Sequence, residues 1–309
     1  VIEPGLHSTW PRSTSSRLMP RTSAPRVNSL ALLILPSALL FALFFFLPIG
    51  LMAVMSVLTG NPVVMPNVAV TAKNYARMGN DSYYLEVIWT TIRIGLWTTL
   101  AALLIGYPLA HWMARIKSRT GHALLLMAVL APMLTGIVVR TFAWMTLLSD
   151  KGVINQILTS LGLITQPLQL MYNETGIIIG LVHIYVPFMV LTLTGVIGRI
   201  DERLEQAAEN LGASPWRAFL EVTLPLTLPG ILAGSLLVFA LAISAYVTPI
   251  LLGGFQIMTL PILIYQQISA NFNVGFAAAL GMVLLAISLL LVIAYNHMLG
   301  LVSGQRELQ

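Results

Sequence analysis

The sequence contains no cysteine, which excludes a disulfide framework, a thiolate metal site and a thiol nucleophile. Charge is almost as scarce. Sixteen Lys and Arg and 11 Asp and Glu make up 9% of 309 residues, where soluble domains carry about a quarter. So few charges cannot cover the surface of a water-soluble protein of this size, and with 57% hydrophobic residues the chain calls for lipid as its solvent. A GxxxxGK[ST] phosphate loop is missing, so ATP hydrolysis by that device is not expected in this chain. His7, His111, His122, His183 and His297 fall in separate segments without ligand spacing, and no metal site is expected. No tandem repeat of 20 to 50 residues is present.

What is there is a series of long apolar runs. A membrane-crossing helix needs about 20 mostly apolar residues to traverse about 30 Å of hydrocarbon. The stretch from Val27 to Ala72 carries no charge, and its apolar part, about Leu30 to Leu58, predicts a first span with Pro36 and Pro48 as sites of kinking. This run is too long for the hydrophobic part of a signal peptide, so it reads as a retained signal anchor. Further spans are predicted at about Val87–Met113, His122–Leu148, Thr175–Gly198, Pro229–Leu252 and Val274–Leu299. The fold class is therefore an all-α integral membrane protein of about six transmembrane helices.

The basic residues are distributed unevenly between the two sides. Arg12, Arg17, Arg21, Arg26, Arg115, Lys117, Arg119, Arg199, Arg203, Arg217 and Arg306 fall in alternate connections and the two ends, against Lys73, Arg77 and Lys151 on the other side. The positive-inside rule then places both termini and the 199–228 connection in the cytoplasm. Residues 1–28 read as a disordered basic arm, 29–305 as one membrane domain and 306–309 as a cytoplasmic tail.

Inside the predicted spans, Arg93 and Arg140 are functional candidates, since an ionisable residue at membrane depth carries a cost. Arg93 has the outer interface or Glu86 available to it, and Arg140 has a solute path, Asp150 or Glu174. Tyr246 and Phe255 add aromatic faces near the fifth span and join Arg140 as candidate solute-path residues.

The fourth-to-fifth connection, RIDERLEQAAENLGASPWRAFLEVTLPLTLPGILAG, is the most patterned. Leu204, Ala207, Ala208 and Leu211 recur at helical spacing with Glu202, Glu205 and Glu209 turned elsewhere, which predicts an amphipathic helix over Asp201–Leu211. Gly212 suits the left-handed residue that ends it. Ser214 and Pro215 suit the cap and first position of a second helix over Pro215–Val222, whose Trp216, Phe219 and Leu220 need covering by protein.

These residues resemble the inner-membrane permeases of type I binding-protein-dependent ABC importers. The pattern of that family is EAA, three residues, Gly, nine residues, Ile, one residue, Leu-Pro. The chain offers Gln206, Ala207, Ala208, three residues, Gly212, nine residues, Val222, Thr223, Leu224 and Pro225. One position departs, because Gln206 stands where the family has Glu, with Glu205 beside it. The segments NYARM, GYPLAHWMARIK, VVRTFAWMTLL, GLVHIYVPFMVL and AYVTPILLGG are similar to permeases of the spermidine/putrescine type.

The resemblance implies a bacterial inner-membrane transport subunit that is not itself an enzyme. Its loop, Glu205, Gln206, Ala207, Ala208, Gly212, Ala213, Ser214, Trp216, Phe219, Val222, Leu224 and Pro225, would couple to two ABC ATPase subunits that bind ATP and Mg, the chain itself holding no cofactor. A second permease, a different chain, and an extracytoplasmic solute-binding protein complete the implied assembly, with a polyamine-like solute. The rival reading is an ion-coupled secondary transporter or channel working without an ATPase. It calls for intramembrane carboxylates or two related inverted halves, which the sequence does not offer.

Overall fold

A computed structural model describes residues 27–59 and 69–304; the expected basic arm, except Val27 and Asn28, and the expected tail lie outside them. The described residues are helical apart from turns and one isolated antiparallel bridge, Leu58 to Val70. The chain divides into two compact units at the Gly50–Leu51 boundary. In the first, α1 (Val27–Phe41) passes into a π-helical turn at Ala42–Phe46, and α2 (Leu47–Ser56) begins there and runs across the boundary. Phe41, Phe44 and Phe46 are exposed, as suits side chains solvated by lipid.

From α2 the chain runs through α3 (Lys73–Asn80), α4 (Ser82–Arg115), α5 (Arg119–Leu130), α6 (Ile137–Leu148), α7 (Val153–Ser160) and α8 (Glu174–Ile197). Then come α9 (Arg203–Asn210), α10 (Pro215–Ala218), α11 (Leu224–Ile243), α12 (Val247–Gly253), α13 (Leu260–Ser269) and α14 (Val274–Gly304). Among the described residues five helical stretches are long and apolar enough to span a bilayer, or six if a pair of helices bent by 95° counts as one span.

That bent pair corrects one expectation. The predicted third span, His122–Leu148, is not one rod but Arg119–Leu134 followed by Ile137–Ser160. Pro132 and Gly136 interrupt the backbone ladder at the break, where Thr135 is extended. The predicted fifth span, Pro229–Leu252, is also corrected. Helix runs unbroken from Pro215 to Ile243, then stops at Ser244–Tyr246 before α12 resumes. Helices α3 and α13 were not foreseen.

The buried centre is formed where α4, α8 and α11 pack together. Lipid tails are as apolar as leucine, so such helices associate through close packing rather than through exclusion of water, and small residues permit the approach. A Cβ placed on Gly230 of α11 would lie 2.9 Å from Val196 Cβ of α8, and one on Gly95 of α4 would lie 2.6 Å from Ile243 Cγ2 of α11. At the other end of the chain, Arg77 of α3 lies over the rings of Phe276 and Tyr84, 4.8 Å and 5.3 Å from their centroids, which ties α3 to α4 and α14.

This packing makes Gly230 intolerant even of a methyl group. Gly230→Ala is expected to lower the thermal midpoint of the detergent-purified protein, by an overpacking cost of about 1–3 kcal/mol. Gly195→Ala, with open space around it in α8, should be neutral or stabilising by up to about 1 kcal/mol. Equal midpoints for the wild type and Gly230→Ala would show that α8 and α11 are not in close contact.

Candidate functional site

The 199–228 connection folds as two helices joined by a tight turn. Asp201 Oδ1 accepts a hydrogen bond from the Arg203 N–H at 2.9 Å and starts α9. At its other end Gly212 adopts φ +94°, and two backbone bonds close the turn: Gly212 N–H to Glu209 O at 2.9 Å and Ala213 N–H to Ala208 O at 3.0 Å. This is the Schellman arrangement, which satisfies the last carbonyls of the helix and needs a left-handed residue at this position. Ser214 Oγ then accepts from the Arg217 N–H at 3.3 Å, and Pro215 opens α10 with its φ already suited to helix.

Beyond α10 the chain widens into a π-helical turn at Phe219–Thr223 and continues directly into α11. Pro225 supplies no N–H, and its ring crowds the carbonyl four residues earlier, Glu221, inside that turn. A widened turn accommodates both effects without ending the helix. The same arrangement occurs at Ala42–Phe46, two residues before Pro48. The helix predicted over Pro215–Val222 and the span predicted from Pro229 are therefore one: α10 is the first turn of the fifth span.

Side chains sort sharply between inside and outside. Phe219 packs edge-on against Tyr107 and His111 of α4, with ring centroids 5.8 Å from each, and Trp216 stacks on Phe219 at 5.5 Å. Tyr107 Oη lies 3.0 Å from Thr227 Oγ1. Val222 and Leu224 are half-buried, whereas Gln206, Ala207, Gly212, Ser214 and Pro225 are exposed and Ala208 and Ala213 intermediate. Leu204, Leu211, Trp216 and Leu220 also face outward, Leu211 at 90% and Trp216 at 68% exposure.

Glu205 turns the other way. Its Oε1 accepts from Arg115 Nη2 of α4 at 2.9 Å and from the Thr223 hydroxyl. Arg115 Nη1 also lies 3.6 Å from Glu202 Oε1 and 3.4 Å from Ile200 O. Sequence reasoning took Arg115 only as a basic residue at a helix end and overlooked Thr223, Tyr107 and Thr227. Only the i, i+3 placement of Glu202 and Glu205 hinted that α9 carries a charged inner face.

The candidate path residues are placed less compactly. Arg140 lies in α6, near His183 and Tyr185 of α8 in electrostatic reach. Its Nε and Nη1 are buried without an acceptor among the described residues. Neither Asp150 nor Glu174 forms the expected pair with it, because Glu174 pairs with Arg93. Arg93 in turn does not pair with Glu86. Its guanidinium, Glu86, Glu174, Tyr83, Thr90 and Gln256 line a polar cleft of about 180 Å³. Tyr246 packs on Tyr265 at 4.8 Å, and Phe255 is exposed at the edge of a second cleft with Tyr265 and Gln266. The broken spans meet where α6 packs on α12, with Thr141 Oγ1 3.1 Å from Thr248 Oγ1. No cluster of three metal-ligating side chains occurs among the described residues.

The known proteins that this chain resembles agree with this architecture. A family model described as binding-protein-dependent transport system inner membrane component matches residues 106–299. The spermidine/putrescine transport system permease protein PotB of Escherichia coli (strain K12) is 34% identical over 267 residues, 86% of this chain and 96% of that protein. PotB of Haemophilus influenzae is 34% identical over 240 residues, 78% of this chain and 83% of that protein. A bacterial alginate ABC transporter, solved in complex with an alginate pentasaccharide-bound periplasmic protein, has a chain of the same fold. Its TM-score is 0.71 at 18% identity, over 87% of this chain and 93% of that one. The chain therefore belongs to the binding-protein-dependent transport system inner membrane components, and is an inner-membrane permease subunit of an ABC importer, a transport component rather than an enzyme.

Proposed function

We propose that this permease admits a polyamine-like solute across the inner membrane, driven by two separate ATPase subunits that bind ATP and Mg and dock on the α9–α10 loop. The observation that carries the coupling reading is the outward apolar face of that loop. Leu204, Leu211, Trp216 and Leu220 are exposed while Glu205 is turned inward against Arg115. An exposed apolar patch of this kind marks a protein contact surface. Gln206, Ala207, Ala208, Gly212, Ala213 and Ser214 lie along the same outer loop, and Phe219, Val222, Leu224 and Pro225 connect it to the span. The excess of Lys and Arg on this side and in the terminal segments supports a cytoplasmic position for the loop and both termini.

The solute reading rests on the 34% identity with a spermidine/putrescine permease over most of both chains. Glu86, with the Tyr83 ring, offers an ammonium ion a carboxylate and an aromatic face in a cleft where Glu174 is already paired with Arg93. Arg140, Tyr246 and Phe255 serve the path deeper in, where α6 meets α12 and where both spans are broken. A second, non-identical permease closes the other half of the path, and an extracytoplasmic binding protein delivers the solute.

Trp216→Asp should insert normally yet lose most of the co-purifying ATPase subunit in mild detergent. At Gly212, where added side chains meet open space and only the backbone is strained, Asn should be tolerated better than Ala and Ala better than Val, at a cost of about 1–2 kcal/mol for Ala. Full ATPase recovery with both Trp216→Asp and Gly212→Val would remove the coupling reading. For the solute, cells lacking other polyamine uptake should gain ATP-dependent entry of labelled spermidine or putrescine when the whole importer is expressed. Entry of neither, with an importer that assembles, would remove the polyamine reading.

A further inference from the structure

The inner side of the coupling loop holds a junction that docking alone does not require. One carboxylate oxygen, Glu205 Oε1, accepts from a guanidinium on α4 and from a hydroxyl at the start of the fifth span. Three segments of chain, the end of α4, the first turn of α9 and the π turn ahead of α11, therefore meet at one atom. Thr223 is fully buried, and the Arg115 and Glu205 side chains are 17% and 24% exposed. Burial of this degree makes a charge-assisted bond stronger than the same pair in water, and makes a missing partner costly.

The π turn determines where the Thr223 hydroxyl points. Each residue of an α-helix advances about 100° around the axis, and the added residue of a π turn offsets by that amount everything before it relative to everything after it. Thr223 is the last residue of the turn, so its hydroxyl meets Glu205 while Thr227, one turn on, meets Tyr107 of α4. Phe219, at the first residue of the turn, packs on Tyr107 and His111. The rim of α4 is thus held at three heights: by Arg115 through Glu205, by His111 and Tyr107 through Phe219, and by Tyr107 through Thr227.

Gln206 and Glu205 separate two duties. Gln206 is exposed on the outer face, and Glu205 is engaged within the chain. The departure from the family pattern at Gln206 leaves this inner carboxylate untouched.

We infer that Arg115, Glu205 and Thr223 form a strut that makes α4 and α11 move together with the α9–α10 loop, so that the three act as positioning residues for coupling. This inference rests on the coupling reading of the loop. A loop held only by its chain connections would let ATPase movement bend α9 against the bundle. With the strut in place, displacement of the loop is passed to two spans at once.

The test uses the complete importer, with its ATPase subunits, second permease and binding protein, in proteoliposomes. Assembly is read by size exclusion, and solute imported per ATP hydrolysed is read in the same preparation. Thr223→Val keeps the shape of the side chain and removes the hydrogen-bond donor; Thr223→Ser keeps the donor. The strut predicts assembled complexes for both, with solute per ATP falling at least fivefold in Thr223→Val and returning to within twofold of wild type in Thr223→Ser. Arg115→Gln should lower the ratio in the same way.

An unchanged ratio in Thr223→Val and Arg115→Gln would overturn the strut while leaving the docking reading intact. Failure of Thr223→Val to assemble would also overturn it, since the contact would then be part of docking. If the wild-type preparation itself contains no ATPase subunit, the coupling reading fails first, before any variant is compared.

Discussion

The fold depends on one helix without a break, from the Ser214 cap through Ile243. In hydrocarbon there is no water to satisfy a freed carbonyl or amide, so a span that must cross the bilayer and also project beyond it is best served by a single helix. Pro225 lies just where such a helix would be expected to fail. The π turn ahead of it absorbs the missing donor and the steric conflict, and the loop helix α10 becomes the end of a membrane span. Movement imposed on Trp216 is then movement of α11.

Elsewhere the backbone is interrupted. Helix stops at Thr135–Gly136 and again at Ser244–Tyr246, and the two interruptions are brought together by the packing of α6 on α12. Broken helices within a membrane are tolerated where protein or a cavity surrounds them, and Arg140, with two buried donors lacking acceptors among the described residues, lies in this region. The permease combines one long unbroken helix, Pro215–Ile243, with an interruption at its far end and another inside the third span.

Much of this was legible in the sequence. Scarcity of charge and the length of apolar runs are enough to require lipid, and α4, α8 and α14 lie where hydropathy places them. Gly212 and Ser214 also announced their conformations, because few residues suit φ +94° or a helix cap. The errors have physical causes. Composition measures apolarity and not axis direction, so the 95° bend inside a mostly apolar third span was invisible apart from Pro132 and Gly136. The loop helix over Pro215–Val222 and the span from Pro229 read as separate elements with Pro225 between them, and nothing local marks a π turn. The ion pairs Arg93–Glu174 and Arg115–Glu205 join residues 81 and 90 positions apart. No spacing rule on one helix reaches that far.

The continuity of the lever is open to direct measurement, and the absence of cysteine makes the chain suited to it. Spin labels on cysteines introduced at Arg217 and Leu237, both exposed, mark the two halves of the rod. Twenty residues at 1.5 Å each place the backbones about 30 Å apart. Pulsed electron–electron distances in the assembled importer should give one narrow peak near that value, the same without nucleotide and with ATP trapped. A peak that broadens, or that moves by more than about 5 Å between the two states, would mean that the helix bends at the π turn and that α10 and α11 do not move as one body.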